Sequence, residues 1–192
     1  MRMGIRSTTV PDQKPQWGLA VLGVIALAVA GALAGYSQVH PGNGSALYRF
    51  GFSSMLAMKS WLTSAATALV VVQLVSALAL WGKLPGVRSA PAWVAGLHRW
   101  TGTVAFVVSL PVAFQCVWSL GFSSSSTRTL VHSILGCLFY GAFTAKMLAL
   151  RMRRLPGWTL PLLGGLLAVV LIGIWFSSAF WFFTQPTLPQ PY

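Results

Sequence analysis

The chain predicts an all-α integral membrane protein: a five-transmembrane-helix bundle with its N-terminus cytoplasmic and its C-terminus outside. Three observations predict it. Five apolar stretches, residues 17–36, 60–82, 98–120, 130–150 and 158–183, are each long enough to cross the ~30 Å hydrocarbon core of a bilayer. Composition agrees, with 56% hydrophobic residues, a mean hydropathy of +0.72 and Asp12 as the single acidic residue, so the dense charged surface of a water-facing globule is missing. The third observation is where the 13 Lys and Arg residues fall. Arg2, Arg6 and Lys14 precede the first span, Lys83, Arg88 and Arg99 separate spans two and three, and Lys146, Arg151, Arg153 and Arg154 end span four. Only Arg49, Lys59 and Arg128 remain for the other side, and positively charged short loops stay cytoplasmic. Trp17, Trp81, Trp100 and Trp158 then fall near the inner interface, and Trp61, Trp118 and Trp181 near the outer one, as an aromatic belt requires.

The first span follows a basic start, and Ala32-Leu33-Ala34 resembles a signal-peptide cleavage site. Its apolar run is longer than the usual signal core, and Gly31-Ala32-Leu33-Ala34-Gly35 offers a small-residue packing surface, so a retained helix is expected. An outer loop from Ser37 to about Lys59 comes next, with Pro41-Gly42-Asn43-Gly44 as a turn cluster. Span two carries Gln73 near its middle, positioned to hydrogen-bond across the bundle. The inner loop to span three contains Pro85-Gly86 and Pro91. Ser124–Thr127 reads as a flexible outer turn into span four, whose Lys146 is near enough to the inner interface to snorkel. Leu155-Pro156-Gly157 makes a tight inner turn into span five, and Pro186, Pro189 and Pro191 keep the tail non-helical. Residues 1–192 therefore form a single membrane domain.

Inventory excludes several chemistries. The basic charge lies in connections and not on an aromatic-interleaved face, so no nucleic acid is expected as a partner. No strand precedes a Gly-rich loop, which argues against nucleotide or flavin binding. Paired carboxylates are missing, and with them carboxylate proton relays and glycosidase-type reactions. Cys116 and Cys137 fall at different depths of spans three and four, match no zinc spacing and read as buried thiols.

The informative residues are the histidines. His98-Arg99-Trp100-Thr101-Gly102 opens span three and His132-Ser133-Ile134-Leu135-Gly136 opens span four, each a His-x-x-x-Gly. A Gly four positions on lies on nearly the same helix face as the His, one turn deeper. An imidazole can ligate a metal there, and the missing Cβ lets a flat macrocycle approach the backbone, which is what a haem b held between helices needs. A His near an interface can equally be hydrated, and a Gly can simply pack helices closely. From His132, Gly136, Phe139, Phe143 and Met147 continue a stripe, faced by the smaller Gly102, Ala105, Ser109 and Cys116 stripe from His98. The two histidines start at opposite ends of antiparallel helices, roughly 20–30 Å apart in depth at 1.5 Å per residue, and cannot share one iron. An outer haem would need His132 with His40 or a ligand such as Gln115; an inner one would pair His98 with Met147, Met152 or an open position. Arg49, Arg99 and Arg128 are the candidate propionate partners by charge.

The run from His98 to Gly102, Leu110-Pro111-Val112-Ala113, Leu120-Gly121-Phe122, and His132 through Phe143 with Lys146-Met147 resembles a family of small bacterial membrane proteins classed as a domain of unknown function. Spans two to five also resemble, distantly, the haem-bearing helical core of cytochrome b561 and ferric-reductase-like proteins. That second resemblance implies haem on histidines of successive helices, yet spans two and five carry no His and Gln115 stands where another might be sought.

The expected function is a b-type-cytochrome-like membrane electron-transfer subunit in the bacterial plasma membrane. Haem b is its cofactor, His98 and His132 are the metal ligands, and His40, Gly102 and Gly136 are further cofactor-binding positions. Its partners are the lipid bilayer and redox or membrane-complex subunits. The alternative is a non-redox accessory or structural subunit of a larger membrane complex.

Overall fold

In the computed structural model, which describes residues 16–87, 89–152 and 155–185, five long helices follow one another. They are α1 (Gln16–Val39), α2 (Met55–Leu80), α3 (Ala92–Gln115), α4 (Thr127–Ala149) and α5 (Thr159–Trp175). Two of them run on into π-helical turns, α3 through Cys116–Leu120 and α5 through Phe176–Phe180, after which Trp181–Thr184 closes α5 with one α-turn. Among the described residues no strand occurs, and all five helices are long and apolar enough to cross a membrane, so the chain has the build of a multi-pass membrane protein. Arg2, Arg6, Lys14, Arg88, Arg153, Arg154 and the three tail prolines, on which part of the sequence argument rests, lie outside the described residues.

Helix starts depart from the hydropathy boundaries because capping side chains, not the last apolar residue, decide where a helix begins. Ser54 takes the extended conformation of an N-cap and its Oγ accepts from Ala57 N at 3.1 Å, so α2 starts at Met55 and Lys59 lies inside the helix, not in a loop. Ser126 and Thr129 form a reciprocal capping box, which turns the expected flexible segment into a helix start and places Arg128 in the first turn of α4. Pro91 precedes α3, a position where its missing N–H costs nothing, so His98 sits in the second turn instead of the first.

Because α1, α3 and α5 run opposite to α2 and α4, the bundle has two ends. One gathers the α1–α2 and α3–α4 connections and holds His132; the other gathers the α2–α3 loop and the α4–α5 turn and holds His98. At the His132 end the α1–α2 loop is tied down by backbone bonds, Gly44 N to Ser119 O at 2.8 Å and Phe122 N to Ser37 O at 3.0 Å, and by the Tyr48 hydroxyl donating to Pro111 O at 2.7 Å. Gly42 is required there because a Cβ would collide with the Ser119 backbone.

The core lies where α2, α4 and α5 meet: Ala66 and Val70 pack against Phe139 and Ala142 and against Leu167, Leu171 and Ile174. α1 joins through α4, where Gly141 lets the Ala26 carbonyl approach closely and Leu22 packs with Ala145 and Ala149. This replaces the expected role of Gly31 and Gly35, which are exposed with nothing within 4 Å of where a Cβ would stand. Exposed apolar residues such as Val24, Leu27, Val107 and Val169 cover the exterior, and Trp17, Trp100, Trp61 and Trp118 are exposed toward its two ends.

Candidate functional site

All five helices contribute to a cavity of about 930 Å³ at the His132 end of the bundle. That volume falls within the ~300–1,000 Å³ of small-molecule and cofactor sites. α3 and α4, though consecutive in the chain, stand apart around it and meet at mid-length through side chains. Phe106 stacks on Phe143 with centroids 3.9 Å apart, and the Ser109 and Tyr140 hydroxyls are 3.0 Å apart. Ser109 and Tyr140 also line the cavity, so this layer forms its floor.

His132 is on the cavity wall and its ring orientation is fixed from α5. Its Nδ1 lies 3.0 Å from Ser177 Oγ, while that hydroxyl donates back to Gly173 O at 2.8 Å and Ile174 O at 3.0 Å. A hydroxyl has one proton: while Ser177 gives it to the backbone it accepts from Nδ1–H and Nε2 keeps its lone pair, the tautomer a metal ligand needs, and while it gives it to Nδ1 the ring proton is on Nε2. The Ser177 carbonyl is itself held by Arg128 Nη1 at 2.6 Å, and the Arg128 guanidinium lies 3.9 Å above the Trp181 ring. Both π-helical turns flank this region: Cys116 opens one, Ser177 belongs to the other, and such turns occur frequently at functional sites.

Gly136, one turn deeper than His132, lines the cavity with nothing within 4 Å of where a Cβ would stand, so a flat ligand has backbone access there. Gly102 does not share this geometry. A Cβ on Gly102 would meet Gln73 Oε1 at 3.0 Å, so its space is taken by the Gln73 side chain, whose Nε2 donates to His98 O and to Thr101 Oγ1. The mid-span Gln73 thus clamps α2 to α3.

His98 repeats the anchoring seen at His132, with Nδ1 2.8 Å from Ser76 Oγ and that hydroxyl bonded back to Val72 O at 2.7 Å. It lines neither this cavity nor the one between α2, α3 and their loop. Lys146 of α4 is the cation that faces it. Lys146 stands 14 residues along α4 from His132, about 21 Å at 1.5 Å per residue, so the two imidazoles belong to separate sites. His40 is exposed beyond α1, stacked on Tyr36 at 4.2 Å with its Nδ1 3.1 Å from Tyr36 O, and does not line the cavity. Gln115 is wholly buried with both amide atoms unpartnered among the described residues, and it too lies outside the cavity lining. Neither of the expected second ligands lines the cavity with His132.

Two residues that the sequence argument set aside do. Lys59, only 7% exposed, and Cys116 both line the cavity, and the thiol of Cys116 faces both the Lys59 ammonium and the His132 ring. Both cysteines are free, and Cys137 lines the same cavity. The Ser54 cap was the one signal that could have moved Lys59 from loop to helix.

The profile of a family described as a family of unknown function, DUF6529, matches residues 19–190 of the chain. No curated protein and no solved structure matches it.

Proposed function

The chain belongs to the DUF6529 family of unknown function, and we propose that it is a b-type-cytochrome-like membrane electron-transfer subunit that holds haem b through His132. One observation carries the reading: the His132 imidazole sits on the wall of a cofactor-sized cavity with Nδ1 3.0 Å from Ser177 Oγ and the Cys116 thiol facing the ring, so that a metal would take Nε2. The residues present fit the group. His132 would supply a ligating nitrogen, Gly136 would give a flat ring access to α4, and Phe139 and Tyr140 would give it an apolar and aromatic wall. Bound there, the haem iron would supply a one-electron couple tuned by its axial ligand and by burial.

The chain's own residues orient and insulate. Ser177 engages His132 Nδ1, Arg128 holds the turn that carries Ser177, and the Phe106–Phe143 stack closes the cavity toward the His98 end. A haem held there would lie near one end of the bundle, within reach of a redox partner docking on that face. His98, which lines neither cavity, acts in this reading as a packing residue. The distant resemblance to the cytochrome b561 core supports the class and not the two-haem arrangement.

Topology follows from charge. With Lys59 and Arg128 drawn into helices, Arg49 is the basic residue left in the α1–α2 loop, so the asymmetry favours the His98 end as cytoplasmic and the haem near the outer face of a bacterial plasma membrane.

The test is an absorption spectrum of protein purified from cells supplied with haem precursor, recorded oxidised and with dithionite. A Soret band that shifts on reduction is expected. If the preparation is colourless and takes up no haem, the electron-transfer reading gives way to the accessory-subunit one.

A further inference from the structure

Lys59 is the least explained residue of the cavity. It lies four residues into α2, about 6 Å below the helix start, and is only 7% exposed. An ammonium group at that depth in an apolar bundle is costly unless something negative meets it. The chain supplies no carboxylate, since none of the described residues is acidic, and the ionisable group that faces Lys59 is the Cys116 thiol, which also faces the His132 ring. Arg128 is a second cation on the same wall, with one guanidinium nitrogen on Ser177 O and its plane over Trp181. A cavity whose walls are otherwise mostly apolar therefore carries two cations and no carboxylate of its own.

We propose that Lys59 and Arg128 form the anion-recognising edge of this cavity, and that its ligand is an amphiphile bearing a carboxylate on a large apolar body. Charge complementarity argues for the anion, and the volume of about 930 Å³ for the body. Depth argues for the carboxylate: a compact head can follow its apolar body below the mouth to Lys59, whereas a phosphodiester would have to bring its polar glycerol with it. Two sources share this chemistry, the propionates of haem and the head of a free fatty acid. The inference does not require the haem reading.

Four probes separate the possibilities: haem b, its dimethyl ester, oleate and methyl oleate. Each is titrated into the full chain in neutral detergent, the porphyrins followed by absorbance and the lipids by native mass spectrometry. At least one acid is expected to bind the wild type, with its ester about ten- to hundredfold weaker, the span of one charge-assisted hydrogen bond. Lys59→Met keeps the length of the side chain and removes a buried charge, so it is expected to fold, with circular dichroism as the check, and to erase the preference for acid over ester. Arg128→Gln should reduce it. Esters binding as tightly as acids, an undiminished preference in Lys59→Met, or no binding of any probe would overturn the proposal. Haem and its dimethyl ester binding equally, with oleate no tighter than methyl oleate, would leave the haem reading standing and defeat this one. Lys59-dependent binding of oleate without haem would do the reverse.

Discussion

His132 and Ser177 are joined across the α4–α5 interface by a 3.0 Å contact between Nδ1 and Oγ, and the same hydroxyl lies within hydrogen-bond distance of the carbonyls of Gly173 and Ile174. A serine bonded back to its own helix is usually a neutral packing device. Here the hydroxyl also meets an imidazole, and with its proton on the backbone it accepts from Nδ1–H. The His98–Ser76 pair repeats the bond at the opposite end, 2.8 Å long. The two ends differ in what the ring meets: His132 lines a cavity, whereas His98 lines none and is faced by Lys146 of α4.

Ser177→Ala should therefore weaken haem binding without changing the axial ligand. Loss of an outer partner to a metal-bound His typically costs about 10–100-fold in affinity. Titrating haem into the variant should show that loss with the Soret maximum unmoved, whereas His132→Ala should lose the band altogether. Unchanged affinity in Ser177→Ala would mean that the bond is packing only.

Gly136 and Gly141 lie five residues apart on α4 and are predicted to fail differently. Gly136 faces the cavity with free space around it, so Gly136→Leu should fold with an unchanged melting temperature and take up no ligand. Gly141 is pressed against the Ala26 carbonyl of α1, and a side chain there overpacks the α1–α4 contact, at about 1–3 kcal/mol. Thermal unfolding of the two variants beside haem titration separates the roles. Equal destabilisation by both would argue that the cavity closes in solution.

The number and order of the helices were legible because a bilayer-length apolar run admits few alternatives. The ends of those runs misled, and the site suffered for it. Lys59 and Arg128 were read as loop charges because hydropathy stops at a cation, but Ser54 and Ser126 cap their helices one turn earlier and carry both cations into the bundle. Helical periodicity places His132 and Gly136 on one face, and both line the cavity, because that periodicity holds within one element. The same pattern at His98 with Gly102 looks identical in sequence, and only the facing helix distinguishes them, since Gln73 of α2 fills the space beside Gly102. His40 and Gln115 were sought as second ligands by depth alone; depth says nothing of which way a side chain turns.

Orientation is tested by single cysteines in a Cys116→Ala, Cys137→Ala background. Ser45 and Ser125 are exposed at the His132 end and Ser89 is exposed at the other. In intact cells an impermeant maleimide should label Ser45→Cys and Ser125→Cys and spare Ser89→Cys until the membrane is opened. The opposite pattern would turn the bundle over and put the cavity on the cytoplasmic side.

Gln73 and His98 test whether the second His-x-x-x-Gly is a site or a clamp. Gln73 Nε2 donates to His98 O and Thr101 Oγ1, and the His98 ring bonds Ser76, so these contacts tie α2 to α3 within two helical turns. Interhelical hydrogen bonds in a membrane average about 0.6 kcal/mol and reach about 1.7. Gln73→Met, which keeps length beside Gly102 and removes both bonds, should cost about 1–2 kcal/mol in unfolding, and His98→Ala a similar amount. Neither should alter the haem spectrum or the affinity read by titration, because Lys146, which faces His98, is about 21 Å along α4 from His132. If His98→Ala removes the Soret band while His132→Ala keeps it, the cofactor lies at the other end of the bundle, and the cavity at His132 serves another ligand.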